Sequence, residues 1–283
     1  MSTSDGGRGT SNRRTVFFVS DRTGITAEML GNSLLSQFET FDFQRRTIPF
    51  VDTPEKIAEV VAKIDAIGAS DGKRPLVFSS IVDEAMSVQL GHANALFLDL
   101  FQVFIAPLES ELSAKSSHAA GRSHGIANIH DYFARIEAIN FAQAHDDGAA
   151  TRDLAKAQVI LVGVSRCGKT PTTLYLALQF GVLAANFPLT PDDFVDRKLP
   201  ASILPYKERL FGLTIDPERL QQIRQARRPD SRYAALDNCR YEVREAEELM
   251  QRERIPTIDT TARSIEEIAT TIMHRGGLQR QIF

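Results

Sequence analysis

A run of residues near the middle of the chain has the types and spacing of a loop that binds phosphate. It fits the pattern G-x-x-x-x-G-K-[ST], with a lysine and a hydroxyl residue directly after the second glycine. Glycines let the backbone turn tightly, so that its N–H groups converge on an anion. The lysine would act as a catalytic cation on the terminal phosphates, and the threonine hydroxyl suits Mg²⁺. The predicted nucleotide-binding residues are Gly163, Val164, Ser165, Arg166, Cys167, Gly168, Lys169 and Thr170.

The segments on both sides of this loop predict the strand and the helix that such a loop requires. Residues 158–164 are rich in β-branched side chains and short enough for a buried strand. After the loop, Leu174, Ala177 and Phe180 recur at helical spacing. A helix that begins at the loop adds the positive end of its dipole to the anion site. We therefore predict that the protein binds a phosphorylated nucleotide.

Further chemistry is expected after the predicted strand LFGLTI (210–215). Asp216 could be the carboxylate that holds the metal together with Thr170, although Asp216-Pro217 is also an ordinary start of a helix. Asp192 and Asp193 are rival carboxylates with a similar capping explanation. The helix after Asp216 carries three arginines that could close over the transferring phosphates, or could simply form a solvated face. These phosphate-binding or lid candidates are Arg224, Arg227 and Arg228.

Two other carboxylates are candidates for the base in a phosphoryl transfer. Asp21 lies in the segment SDRTGIT (20–26), directly after a predicted strand, where ligands bind in open α/β sheets. Asp147 lies in His-Asp-Asp-Gly (145–148), and we expect this segment at a domain junction. Turn and cap residues alone would give similar patterns, so both structural explanations stay open.

Bulk composition restricts the class of protein. The chain has 283 residues, a hydrophobic fraction of 43% and a charged fraction of 24%, which suit soluble domains. A net charge of −3 provides no general attraction for nucleic acid or for an anionic membrane. Cys167 and Cys239 are too few for a disulfide framework and have no C-x-x-C spacing. The helix that follows Cys167 could acidify its thiol, but a small residue that fills a tight loop is the favoured reading. The N-terminal segment lacks an apolar signal core, so we expect a cytoplasmic protein.

Alternating strand and helix patterns predict an α/β fold with parallel sheets. We expect a disordered tail over 1–14, an N-terminal parallel-sheet α/β domain over 15–150 that grips a target, and a C-terminal P-loop kinase-like α/β domain over 151–283. The boundary is predicted from residues 145–157, which are small, polar and rich in turn formers. The apolar run 95–101, between helical patterns, is ambiguous between strand and helix.

An ordered set of segments resembles one known family. VSDRTGITAEMLG, RPLVFSSIV, AHDDG, GVSRCGKTPTTLYLA, AANFPL, FGLTIDPERLQQIR and IDTTARSIEEIA occur in that order over about residues 15–283. Together they resemble the pyruvate, phosphate dikinase and phosphoenolpyruvate synthase regulatory protein family, and the synthase branch most closely.

This resemblance implies a bifunctional enzyme whose substrate is another protein. In one direction it would phosphorylate a threonine of phosphoenolpyruvate synthase, or of the dikinase, with ADP as donor, and so inactivate it. In the other it would remove that phosphate by phosphorolysis with inorganic phosphate, which forms diphosphate. Residues 163–170 would hold ADP, with Mg²⁺ as the expected metal, and the oligomeric state stays open, with a homodimer as one option. Because the motif occurs once in the chain, we expect one loop to serve both directions.

Two other classes of function fit parts of the sequence. The second half alone has the size of a kinase for a small metabolite, a reading that leaves the first half unexplained. A GTP-driven switch is disfavoured because the chain has no N-K-x-D motif, and a nucleotide sensor without catalysis is a third option.

Overall fold

The computed structural model describes residues 12–117, 129–149 and 152–281 of the chain. It divides into two compact units, residues 1–127 and 128–283. Each unit is built on its own sheet. Residues 1–11 of the predicted tail lie outside the described residues, whereas Arg13 and Arg14, assigned to that tail from the sequence, belong to the first strand.

The described part of the first unit is a parallel sheet with helices packed on it. Its elements are β1 (Arg13–Val19), α1 (Ile25–Leu35), β2 (Asp42–Ile48), α2 (Pro54–Asp71), β3 (Leu76–Ser79), α3 (Glu84–Leu90), β4 (Leu96–Asp99) and α4 (Gln102–Leu112). The strand order is β2-β1-β3-β4, and all neighbours are parallel. The ambiguous run at 95–101 contains β4, since Leu96–Asp99 pairs with β3 in register.

The core of the first unit lies on both faces of β1. Residues 16–19 are fully buried, as expected for an inner strand of a parallel sheet. Phe17 packs with Ile57 of α2 on one face, and Phe18 packs with Leu35 of α1 on the other. Thr53 caps α2 by accepting a hydrogen bond from the Lys56 backbone N–H, and a proline follows it at the first helical position.

The described part of the second unit has the same layered construction. Its elements are α5 (Ile129–Ala144), β5 (Val159–Gly163), α6 (Lys169–Phe180), β6 (Ala184–Pro188), α7 (Pro191–Asp196), β7 (Leu210–Thr214), α8 (Pro217–Arg227), α9 (Leu236–Arg252), β8 (Thr257–Asp259) and α10 (Ile265–Arg275). The strand order β6-β5-β7-β8 is again all parallel and repeats the topology of the first sheet. The predicted α/β class with two parallel sheets is confirmed.

The division between the units falls earlier than the boundary predicted at 150/151. Helix α5 packs against α6 of the second unit through Ala138, Ala142 and Ala177. The polar segment that follows α5 resembles a linker in sequence, yet it contains a buried histidine, His145, and bonds to strand β6. His-Asp-Asp-Gly (145–148) therefore belongs to the second unit, together with the predicted phosphate loop.

Candidate functional site

The loop between β5 and α6 depends on glycine at two positions for different reasons. A Cβ at Gly163 would collide with the Leu213 carbonyl oxygen and would lie 3.0 Å from Cys167 Sγ, so neighbouring backbone excludes any side chain there. Gly168 has φ of 99° and no atom within 4 Å of a built Cβ, so its backbone angle requires glycine while the space beside it is open. The loop is thus closely packed at its start and open where α6 begins.

Backbone donors are available along this loop. Within the part of the chain that the structure describes, the N–H groups of Ser165, Arg166, Gly168 and Thr170 have no hydrogen-bond acceptor. Gly168 is the N-cap of α6 and offers no side chain to cap the first turn. Unpaired N–H groups at a helix N-terminus form a favourable site for an anion.

The ammonium group of Lys169 lies over the same loop. Its side chain is buried, and Nζ donates to the carbonyl oxygens of Gly163 at 3.1 Å and Val164 at 3.0 Å. An ammonium group has three N–H donors, and no hydrogen bond to a described residue uses the third. Lys169 can therefore donate to a phosphate oxygen without first losing a carboxylate partner.

Cys167 fills space in the loop. Burial raises the pKa of its thiol above the ordinary value, and the nearby Lys169 acts in the opposite direction. The side chain is fully enclosed in the core cluster around β5. These observations favour the structural reading of Cys167 over the reading as an acidified nucleophile.

Arg224 supports the loop from its buried side. Its guanidinium is fully buried, and Nη2 donates to the Ser165 carbonyl oxygen at 3.0 Å and to Glu242 Oε2 at 2.6 Å. Nη1 donates to the carbonyl oxygen of Tyr233, whose ring lies 4.2 Å from the guanidinium carbon. The sequence suggested a side chain that closes over phosphates, but these contacts engage Arg224 inside the fold. It shapes the loop through Ser165.

Two hydroxyl groups complete this support. Tyr233 Oη and Ser165 Oγ are 2.9 Å apart and share a hydrogen bond. Thr260, just after β8, donates to the Cys167 carbonyl oxygen at 3.0 Å. Neither Tyr233 nor Thr260 was singled out from the sequence, although Thr260 lies in the quoted segment IDTTAR.

A short turn after α5 contacts the helix end of the loop. Thr170 Oγ1 donates to Asp146 Oδ1 at 2.7 Å, and Asn186 Nδ2 donates to the same oxygen at 2.6 Å. Asn186 Oδ1 accepts from the backbone N–H of Asp147 at 2.9 Å, and the Asn186 N–H donates to the His145 carbonyl oxygen. Strand β6 therefore fixes the turn against Thr170. Asp146 and Asn186 were missed from the sequence because their partners are distant along the chain.

Asp147 points differently from its neighbour. It has φ of 49°, its side chain is exposed, and no hydrogen bond joins its carboxylate to a described residue. The next residue, Gly148, lies against the Phe187 ring, where a Cβ would approach to 2.9 Å. One turn thus holds Asp146 toward the loop and leaves the Asp147 carboxylate in solvent.

The other candidate carboxylates of the second unit lie at helix starts. Asp216 caps α8, because its Oδ1 accepts from the Arg219 N–H at 2.9 Å. Asp216 also lines a cleft, and none of the loop residues 163–170 lines the same cleft. Asp193 forms a capping box with Thr190 at the start of α7, and Asp192 is exposed in the first turn. Among the described contacts, none joins these three carboxylates to Thr170.

The remaining candidates take no part in these hydrogen bonds. Arg227 and Arg228 are exposed at the end of α8, and no described ion pair involves them. Asp21 belongs to the first unit, where it is buried and Oδ2 accepts from the Val82 N–H at 3.3 Å. It lines a cavity at the carboxyl ends of β1 and β3, beside the glycine, Gly24, that begins α1.

Comparison with known proteins gives extensive matches. A kinase/pyrophosphorylase family model matches residues 16–273. A relative from Legionella pneumophila strain Corby is 53% identical over 270 residues, which cover 95% of this chain and 100% of the relative. Relatives from Aromatoleum aromaticum and Burkholderia cenocepacia are 56% and 55% identical, over 95% of this chain and 98% and 99% of their own lengths. All three carry the name "Putative phosphoenolpyruvate synthase regulatory protein". No helix among the described residues is long and apolar enough to span a membrane.

Replacing Arg224 tests whether it supports the loop from within the fold. We expect Arg224→Ala to lower the free energy of unfolding by about 3–5 kcal/mol, because Glu242 would be left charged and buried without its partner. The exposed Arg227→Ala variant should change it by less than about 0.5 kcal/mol. Urea denaturation measures both, and equal small effects in the two variants would contradict the assigned role.

Proposed function

The chain belongs to the kinase/pyrophosphorylase family, and from that premise we propose that it regulates phosphoenolpyruvate synthase by reversible phosphorylation of a threonine. In the inactivating direction, ADP donates its terminal phosphoryl group to the threonine hydroxyl. In the activating direction, inorganic phosphate removes that group and leaves as diphosphate. The relatives' name supports the target, and the family description supports the pairing of a kinase with a pyrophosphate-forming reaction.

The observation that carries this proposal is the open loop between β5 and α6. Unpaired backbone N–H groups and the remaining donor of Lys169 can neutralise the oxygens of a transferring phosphoryl group. The donors are held in place before the ligand arrives, because Arg224 and Thr260 fix two carbonyl groups of the loop. Such preorganised donors stabilise charge that develops in a transition state.

The kinase reaction and the phosphorolysis can each be written as a balanced step that uses the same groups of the protein. When ADP is the donor, the threonine oxygen bonds to the β-phosphorus, the bond to the α-phosphate oxygen breaks, and AMP leaves. The proton of the threonine hydroxyl passes to a base. When inorganic phosphate attacks phosphothreonine, the bond between phosphorus and the threonine oxygen breaks, and the same base returns the proton. We propose one loop for both directions, in which inorganic phosphate occupies the place of the leaving α-phosphate of ADP.

Asp147 is the carboxylate that we propose as this base. Its exposed side chain lies one residue from Asp146, which is hydrogen-bonded to Thr170 of the loop. Asp21 is the rival, with a buried carboxylate that already accepts a hydrogen bond within the first unit. A base that must meet a protein substrate gains from exposure, which favours Asp147.

Direct phosphotransfer is the first test of the proposal. We expect protein, ADP, Mg²⁺ and purified phosphoenolpyruvate synthase to yield a synthase phosphorylated on one threonine, located by mass spectrometry. Adding inorganic phosphate should then remove the label and release diphosphate. Phosphorylation of the dikinase alone would contradict the target, and turnover of small acceptors without either protein would favour a metabolite kinase.

Replacing Lys169 tests the shared loop. We expect Lys169→Ala to slow both directions by about 10²–10³-fold, because the cation that neutralises the phosphoryl oxygens is lost. Rates of AMP and diphosphate formation measure the two directions separately. Phosphorolysis at the wild-type rate in this variant would require a second site.

Replacing Asp147 tests the base. We expect Asp147→Asn to slow transfer by about 10²–10⁴-fold while ADP affinity, measured by calorimetry, stays within about threefold. Asp192→Asn removes an exposed carboxylate elsewhere in the unit and should change neither quantity. If Asp147→Asn keeps full turnover and Asp21→Asn loses it, the rival carboxylate is the base.

A further inference from the structure

The carboxylate of Asp146 has one oxygen engaged and one available. Oδ1 accepts hydrogen bonds from Thr170 Oγ1 at 2.7 Å and from Asn186 Nδ2 at 2.6 Å. Among the described residues, none donates a hydrogen bond to Oδ2, and the side chain is half-buried. The carboxylate is therefore fixed in orientation beside the hydroxyl that ends the phosphate loop.

This pair of groups has the chemistry of one side of a magnesium site. Mg²⁺ prefers oxygen ligands, keeps several waters, and is usually held by one or two carboxylates together with substrate phosphates. Thr170 and Asp146 supply a hydroxyl and a carboxylate next to the unpaired N–H groups that would bind those phosphates. In the part of the chain that the structure describes, no group of three or more His, Cys, Asp or Glu side chains gathers to hold a metal, so a magnesium ion here would take its remaining ligands from water and phosphate.

We propose that Asp146, and not Asp216, is the carboxylate that holds Mg²⁺ when ADP is bound. The inference rests on the proposed binding of ADP at residues 163–170, and it adds the residue that makes this binding depend on the metal. Asp146 would hold the metal together with Thr170, and the metal would supply positive charge to the phosphate oxygens of the nucleotide.

The competing carboxylates already accept hydrogen bonds at the starts of helices. Asp216 accepts from the Arg219 N–H in the first turn of α8, and Asp193 accepts from the backbone N–H of Thr190, the N-cap of α7. The backbone N–H of Asp216 also donates to Thr261 Oγ1, which joins Asp216 to the segment that follows β8. Asp146 is the carboxylate for which the structure describes a bond to the loop hydroxyl.

The turn that carries Asp146 is held firmly enough to position a metal ligand. Asn186 bonds to it three times, through the Asp146 carboxylate, the Asp147 N–H and the His145 carbonyl oxygen. The His145 ring is buried, stacks on Phe141 at 4.0 Å, and has both nitrogens within 2.8 Å of backbone carbonyl oxygens. Ligands held by their neighbours in this way bind metals with little reorganisation.

Calorimetric titration of ADP with Mg²⁺ or with EDTA tests this assignment. For the wild-type chain we expect Mg²⁺ to tighten ADP binding by about tenfold or more. Asp146→Asn, which keeps the shape and one acceptor oxygen, should lose most of this gain. Its affinity in EDTA should be unchanged or tighter, because a negative charge near the phosphates is removed. Asp216→Asn preserves a good helix cap and should keep the full gain.

Binding of Mn²⁺, followed by its paramagnetic resonance signal, gives a second readout without turnover. With ADP present, the wild-type and Asp216→Asn chains should bind one tightly held Mn²⁺, and Asp146→Asn should bind it about 10–100-fold more weakly. The assignment would be overturned if Mg²⁺ tightened ADP binding in Asp146→Asn as much as in the wild type, or did not tighten it in the wild type. Either result would leave ADP binding itself in place. If the wild type binds no ADP under either condition, the proposed function fails as well.

Discussion

The second unit contains a loop, beside the N-terminus of α6, in which the backbone N–H groups of Ser165, Arg166, Gly168 and Thr170 have no acceptor among the described residues. Unpaired amides are costly in a folded protein unless water or a ligand meets them, so the loop cannot hold this shape by its own hydrogen bonds. Gly163 provides the close approach to β7 and Gly168 provides the backbone angle. The rest of the unit keeps these two glycines in place.

Support comes from residues that do not face the proposed ligand. Arg224 and Glu242 form a buried ion pair whose arginine also binds the Ser165 carbonyl oxygen, and Thr260 binds the Cys167 carbonyl oxygen. A buried ion pair is a poor source of net stability but holds a defined geometry when its partners are satisfied. These bonds fix two carbonyl groups of the loop and therefore restrain the backbone that carries the unpaired N–H groups.

A single turn after α5 places two adjacent carboxylates in different surroundings. Asp146 is turned to Thr170 and held by Asn186, whereas Asp147, in a left-handed conformation, extends into solvent. The proposed metal ligand needs restraint and the proposed base needs access, and these adjacent residues meet both demands. The first unit repeats the strand order of the second and has a cavity of its own around Asp21, at the carboxyl ends of β1 and β3.

The sequence by itself determined the local features of this protein. The glycine spacing of the loop, the helix start at Asp216-Pro217, and the parallel pairing implied by alternating strands and helices all follow from neighbouring residues, and the structure contains each of them. Only the tertiary structure decided that the polar segment after α5 belongs to the second unit. It also decided that Arg224 is buried under the loop.

The carboxylate beside Thr170 shows why the two levels differ. Asp146 and Asp147 are the same amino acid at neighbouring positions, so the sequence does not distinguish them. Asp216 was the predicted metal ligand because it follows a predicted strand. Asn186, which lies forty positions beyond Asp146 along the chain and is brought to it by the pairing of β6 with β5, donates to the Asp146 oxygen that also accepts from Thr170. Turns and caps are encoded by adjacent residues, but the direction of a side chain in a site is set by contacts between distant segments, which exist only once the sheet has formed.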